Sequence, residues 1–352
     1  MRVLVAMSGG VDSSVAAARM VGDGHEVIGV TLKLWAGPNG EMPTAGCCTV
    51  SDAEDARRVA SQLDIPYYVL DYTEDFSRGV IDGFVTDYLS GRTPNPCVEC
   101  NRTVKFSRLL SQAADFDCDL VATGHYARVD FHDGRFRLRR GVDVAKDQSY
   151  VLSMLGQDQL SRVRFPVGDI EKPEVRRIAS ELGLRTAAKA ESMDICFVGR
   201  RDYRSFLRSH AAEAVQPGAV VTTDGREVGL HDGIAGFTVG QRRGLGVALG
   251  EPHYVVGVDA PTATVTIGTK SHLLSSGVRL STATWTSAPL RAGEETLVQY
   301  RAHGDAVDGV WDGEDGLRFG EPQPALAPGQ TAAFYRGDEV VGGGIIEETL
   351  PA

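Results

Sequence analysis

The string Ser8-Gly9-Gly10-Val11-Asp12-Ser13-Ser14 restricts the fold of this chain more than any other feature. It follows the short apolar run Val3-Leu4-Val5-Ala6 directly and opens a helical stretch from Val15 to Val21, which ends at Gly22. A strand that turns through paired glycines into a helix is a βα unit, and repeated βα units build a parallel sheet. Glycines let the backbone approach a ligand, and the amides and positive dipole at the helix start favour an anion. The turn is built for phosphate. It lacks the Lys-Ser/Thr pair of a Walker loop, which excludes the γ-phosphate-transfer design.

The same alternation runs through the first two hundred residues. Val27 to Leu32, Tyr67 to Leu70 and Leu120 to Ala122 repeat the apolar strand type. Between them Ala53, Ala56, Val59, Ala60 and Leu63 recur at helical spacing, as do Val80, Ile81, Phe84, Val85, Tyr88 and Leu89. Beyond residue 200 turn signals such as Pro217-Gly218 and Asp232-Gly233 punctuate short segments, and Tyr254 to Val258 reads as a strand. The last eighty residues carry short β runs rich in glycine, the pattern of a small barrel. The expected fold is α/β, a Rossmann-like parallel sheet domain over 1–200, a small central β-rich domain over 201–272 and a C-terminal β-barrel over 273–352.

A chain of 352 residues with 42% hydrophobic content can bury more than one core. Its start lacks a signal-type apolar region, and no segment reaches the roughly 18 apolar residues of a membrane span. A cytoplasmic protein is expected. The net charge of -11 argues against nonspecific coating of nucleic acid, although local basic surfaces remain open. Arg128, Arg135, Arg137, Arg139 and Arg140 form one such cluster, and Arg200, Arg201, Arg204 and Arg208 another.

Six cysteines, Cys47, Cys48, Cys97, Cys100, Cys118 and Cys196, are too sparse for a secreted disulfide framework. Prolines in Thr93-Pro94-Asn95-Pro96 hold an extended approach to Cys97 and Cys100, and Cys196 stands far away in sequence. A thiolate can accept sulfane sulfur, and a second thiolate can release it by forming a disulfide. Zinc binding at Cys97-x-x-Cys100 is the bland alternative, weakened because no second pair of that spacing exists. Cys118, beside an apolar strand, reads as a packing residue.

The loop string is similar to that of the N-type ATP pyrophosphatases, in which Ser-Gly-Gly-x-Asp-Ser grips the pyrophosphate lost when ATP adenylates a substrate. Ala6 to Ser14, Thr93 to Pro96 with Cys100-Asn101, and Ala122-Thr123-Gly124-His125-Tyr126 extend the likeness. So do Lys146-Asp147-Gln148-Ser149-Tyr150, Ile195 to Gly199 and Gly240 to Gly246. Six strings in this order resemble the tRNA-specific 2-thiouridylases, the MnmA/TrmU family, over essentially the whole chain. The resemblance implies an adenine-nucleotide alpha-hydrolase-like domain with ATP contacts from Ala6, Met7, Ser8, Gly9, Gly10, Val11, Asp12, Ser13, Leu32 and Gly124. Mg²⁺ would arrive with ATP and be placed by Asp12, with no permanent prosthetic group.

It further implies that Cys196 carries a persulfide and that Cys100 is the second catalytic thiol, the two forming a transient disulfide. Asn95, Pro96 and Cys97 would lie beside the target base, and Lys146, Asp147, Gln148, Tyr300 and Arg301 would contact tRNA. The family usually has aspartate where Cys97 stands, so a carboxylate acid/base there is in doubt. The implied reaction is adenylation of the wobble uridine of the lysine, glutamate and glutamine tRNAs, then sulfur transfer to C2, directly or through hydrosulfide. The anticodon loop of tRNA and a cysteine desulfurase or sulfur carrier are the implied partners, and a monomer is expected. The rivals are another pyrophosphatase-type ligase, adenylating a carbonyl for nitrogen attack, and a non-enzymatic zinc-dependent RNA-binding module.

Overall fold

The computed structural model describes residues 1–36, 49–190, 196–198, 203–211 and 216–352. Cys47, Cys48, Arg200 and Arg201 lie outside them. Five parallel strands form the first sheet: β1 (Arg2–Ala6), β2 (Glu26–Lys33), β3 (Tyr67–Asp71), β4 (Leu120–Thr123) and, after a hairpin described below, β7 (Val163–Arg164). Their order is β3-β2-β1-β4-β7, so the expected strands stand where the apolar runs placed them.

β1 sits at the centre, and its successive residues point to opposite faces. Leu4 enters one apolar cluster while Val3 and Val5 enter another, and helices cover both. Helix α1 (Val11–Gly22) contributes Val15, Ala16 and Ala17 to the second cluster, and helix α2 (Val50–Gln62) adds Ala56, Val59 and Ala60. A sheet buried on both faces accounts for the continuous apolar runs of its inner strands.

The chain corrects a simple α/β reading of its first two hundred residues at one place. β5 (Ala127–His132) and β6 (Arg135–Arg140) form an antiparallel hairpin that leaves the parallel sheet altogether. Asp133 and Gly134 turn it with φ of 50° and 76°, the left-handed pair that a tight hairpin requires. Its far strand pairs with the C-terminal domain, Val340 facing Leu138 and Glu339 facing Arg139.

The central domain is a four-stranded sheet of β8 (Gly218–Thr222), β9 (Glu227–His231), β10 (Tyr254–Asp259) and β11 (Thr264–Gly268), with Val220, Val255, Val265 and Ile267 as its core. Six strands then close on themselves: β12 (Leu274–Trp285), β13 (Glu295–Gln299), β14 (Val307–Trp311), β15 (Gly316–Pro324), β16 (Thr331–Arg336) and β17 (Glu339–Pro351). The pairing of β12 with both β15 and β17 completes the barrel.

The hairpin also changes the reading of its arginines. Arg128 and Arg139 pair with Asp338 at 2.8 and 2.7 Å, Arg139 also meets Asp130, Arg137 meets Asp133 and Glu339, and Arg140 meets Asp147. Four of the five arginines are thus paired with carboxylates and help fasten the barrel to the first domain, while Arg135 is exposed. Arg204 donates to the Gly236 carbonyl, and Arg208 lies 4.0 Å from Asp232.

Leu138, fully buried where hairpin and barrel meet, tests this architecture. Leu138→Ala should lower stability by about 3 kcal/mol, the usual cost of a core cavity, read as a fall in the urea midpoint.

Candidate nucleotide and thiol site

In an open parallel sheet, ligands bind outside the carboxyl ends of the strands where the strand order reverses. Here that point lies between β1 and β4. A cavity of about 340 Å³ opens there, lined by Ala6, Met7, Ser8, Gly10, Val11, Asp12 and Ser13 from the loop and by Leu32 and Gly124 from neighbouring strand ends. Nine of the ten residues expected at ATP therefore face one space. Gly9, the tenth, is not in the lining, but its carbonyl accepts from Lys189, which is.

The loop is held open by backbone packing. A Cβ on Gly124 would stand 2.6 Å from the Ser13 amide nitrogen, and one on Gly9, whose φ is +72°, would stand 2.2 Å from the Asp52 carbonyl. Neither position accepts a side chain. Ser13 Oγ accepts from the Ser8 amide at 3.1 Å and donates to the Gly10 carbonyl, which cross-braces the turn. No side chain caps α1 at Gly10, so the amides of its first turn remain directed at the cavity.

Four lysines ring the space: Lys105, Lys146, Lys172 and Lys189. Lys172 is 7% exposed, and its Nζ lies 2.7 and 2.8 Å from the two carboxylate oxygens of Asp12, which also accepts from Tyr126 Oη at 2.7 Å. Lys189 donates to the Gly9 carbonyl, Asp52 and Asp55 at 2.9, 2.7 and 2.7 Å, joining the loop to the start of α2. Burial opposes the charge on Asp52, but hydrogen bonds from Lys189 and Thr49 outweigh it and hold the carboxyl below its usual range. Lys189 likewise overcomes burial through Asp52 and Asp55, which raise it.

The sequence reading missed Lys105, Lys172 and Lys189. Lysines are ordinarily exposed, and no local pattern sets these apart. His125 also lines the cavity, with its ring 5.8 Å from Phe106 and 5.9 Å from Phe165. Burial, and then the charge of Lys105, push its imidazole down to about 3. It is neutral at physiological pH, which leaves the lysines to meet an anion.

Beside the cavity runs the thiol segment. Asn95 Oδ1 accepts from the amides of Cys97 and Val98 and caps a short helix, Pro96–Glu99, which continues through a wider turn, Cys100–Lys105. Pro96 is buried, Cys97 exposed and Cys100 5% exposed. The barrel holds the approach: the Thr93 amide donates to the Pro328 carbonyl, Gln330 donates to the Thr93 carbonyl, and Arg92 pairs with Glu347, each at 2.7 Å.

Cys196 is half-buried, and Phe197 beside it packs edge-on against Phe84 and Phe76. Cys100 belongs to the apolar cluster that includes Val30, Leu32 and Leu34 of the cavity wall, and Cys196 packs against that cluster. The two distant thiols and the cavity thus share one apolar body. Cys118 is buried in the same cluster, as a packing residue would be.

Of the residues expected at tRNA, Lys146 and Gln148 line the cavity, while Asp147 is turned inward on Arg140, Gly141 and Ser149. Tyr300 is buried in the barrel, and exposed Arg301 lies over its ring and donates to the Pro324 and Ala325 carbonyls.

Sheet order, phosphate loop and lysine-ringed cavity define the class as a nucleotide-binding α/β domain, here joined to two β modules. Residues 1–200 match a family model described as a tRNA methyl transferase HUP domain, 204–269 a tRNA methyl transferase PRC-barrel domain and 275–346 an aminomethyltransferase beta-barrel domain. The tRNA-specific 2-thiouridylase MnmA of Geobacter metallireducens is 48% identical, covering 99% of this chain and 97% of its own. The protein of that name from Carboxydothermus hydrogenoformans is 47% identical over 99% and 98%, and one from Chloroflexus aurantiacus 48% over 98% of each. The chain belongs to the tRNA-specific 2-thiouridylase family.

Two outcomes follow from the geometry. Gly124→Ala should displace the phosphate loop and abolish ATP binding in titration calorimetry while leaving the circular dichroism of the fold intact. His125 binds its proton only far below its ordinary value of 6.5, so the unfolded chain binds more protons between about pH 6.5 and 3. Stability should fall as pH drops through that window, and His125→Gln should remove up to about 1.4 kcal/mol per pH unit of that slope, measured by urea unfolding.

Proposed function

We propose that this chain makes 2-thiouridine in tRNA, adenylating the base with ATP and delivering sulfur from a persulfide on Cys196. The observation that carries the reading is the shared apolar cluster of Cys100, Cys196 and the wall of the phosphate cavity. Such an arrangement, in which the apolar body under the cavity also carries both thiols, suits a base activated in the cavity and then attacked by sulfur.

The cavity fits ATP in shape and charge. Val30, Leu32, Leu34 and Met7 give an apolar wall for adenine, and the loop amides with the lysines face the triphosphate. Asp12 would hold Mg²⁺ together with phosphate oxygens, and the ion would neutralise charge on the leaving pyrophosphate. Lys172, paired with Asp12 at the cavity edge, would supply positive charge beside the phosphates.

O2 of the wobble uridine attacks the α-phosphate, and pyrophosphate leaves against the helix start. The base oxygen becomes part of a good leaving group. The terminal sulfur of the Cys196 persulfide attacks C2, and AMP departs with the former O2. Cys100 thiolate then attacks Sγ of Cys196, releasing the thiolated base and leaving a Cys100–Cys196 disulfide for an external dithiol to reduce. A cysteine desulfurase or a sulfur carrier recharges Cys196. A wobble base is already single-stranded, so seating it beside Asn95, Pro96 and Cys97 costs less than extraction from a duplex. On this reading Lys146, Gln148 and Arg301 would meet the RNA.

The test supplies ATP, Mg²⁺, a cysteine desulfurase, cysteine and unmodified tRNA, and assays 2-thiouridine by mercury-affinity gel. Cys196→Ser and Cys100→Ser should each abolish product while ATP binding persists. Thiolation by Cys196→Ser would remove that residue from the mechanism.

A further inference from the structure

Arg140, at the end of β6, reaches two domains with one guanidinium. Its Cζ stands 3.8 Å over the ring of Tyr335 on β16, and Nη1 and Nη2 each donate at 3.2 Å to Gln299 Oε1 on β13. Nη1 also donates at 2.8 Å to Asp147 Oδ2. The Asp147 side chain is 7% exposed and accepts further bonds from the Gly141 amide and from the amide and hydroxyl of Ser149.

Asp147 thereby fixes the turn whose flanking residues, Lys146 and Gln148, line the nucleotide cavity. Gln148 exchanges two hydrogen bonds with the backbone of Tyr126, at 3.0 and 2.8 Å, and Tyr126 Oη donates to Asp12 in the phosphate loop. A carboxylate at this depth needs a fixed cation, because removing one partner strands the other charge away from water. Here the cation is itself held by barrel side chains. All the described residues lining the cavity precede residue 191, so the barrel supplies none of them.

We infer that Arg140 is a positioning residue through which the seated barrel sets the 146–148 wall of the nucleotide cavity, making ATP affinity depend on a domain that does not line the cavity. The inference rests on reading the cavity as an ATP site. The neighbouring arginines of the hairpin supply the control. Arg128 and Arg139 bind the barrel through Asp338, so Asp338→Asn weakens the domain contact while keeping Arg140 on Asp147.

The experiment measures ATP binding with Mg²⁺ by titration calorimetry on the full chain, alongside urea unfolding. Arg140→Met should weaken ATP roughly tenfold, about 1.4 kcal/mol. Asp338→Asn should lower the urea midpoint and leave ATP affinity unchanged. Arg140→Met combined with Asp147→Asn, which removes both charges, should recover part of the loss. Gln299→Met, altered only on the barrel side, gives a milder loss in the same direction and serves if Arg140→Met does not fold. Wild-type affinity in Arg140→Met, or in Gln299→Met where Arg140→Met does not fold, would overturn the inference. So would equal losses in Arg140→Met and Asp338→Asn. Absence of ATP binding by the unaltered chain would instead overturn the nucleotide reading beneath it.

Discussion

The close approach of β4 to the phosphate loop, with Gly124 against the amide of Ser13, is the contact on which the site depends. Because the loop presents backbone rather than side chains, its shape is set by what packs behind it. Gly124 supports it from the β4 side, the Asp52 carbonyl lies under Gly9, and Lys189 bridges both to α2. A phosphate-binding surface made this way is rigid before ligand arrives, and preorganised donors are most effective where charge develops in a reaction.

Charge is arranged around that surface in pairs. Asp12 pairs with Lys172, and Asp52 and Asp55 share Lys189. An incoming phosphate can exchange for the paired carboxylates without stranding an ammonium in a dry space. The neutral His125 takes no part in this exchange. The whole molecule is acidic, with a net charge of -11, yet four lysines line one cavity and make it locally attractive to an anion.

Much of this was legible in the chain, for physical reasons. Buried parallel strands write continuous apolar runs, and a glycine turn into a helix writes a phosphate loop, so four of the five sheet strands and the loop that lines the cavity stood out, whereas the two-residue β7 did not. The hairpin Ala127–Arg140 was also signalled, by Asp133-Gly134 between alternating residues, but its arginines drew attention to phosphate. Their true partners, Asp338 and Glu339, lie some two hundred residues away, and no local pattern reveals a long-range ion pair. Lys105, Lys172 and Lys189 were hidden for the same reason: each becomes distinctive only when the fold brings it to the cavity. Asp147 was expected to contact tRNA, and only the fold shows it turned inward on Arg140.

In the proposed reaction the base is activated through its own oxygen before sulfur arrives. The most direct measurement places a heavy-oxygen label at O2 of the target uridine in tRNA, runs the thiolation with ATP, and weighs the AMP produced. Each AMP formed with a thiolated base should carry one labelled oxygen. Unlabelled AMP accompanying full thiolation would contradict the proposed reaction, because the leaving oxygen would then have departed without ever being bound to phosphate.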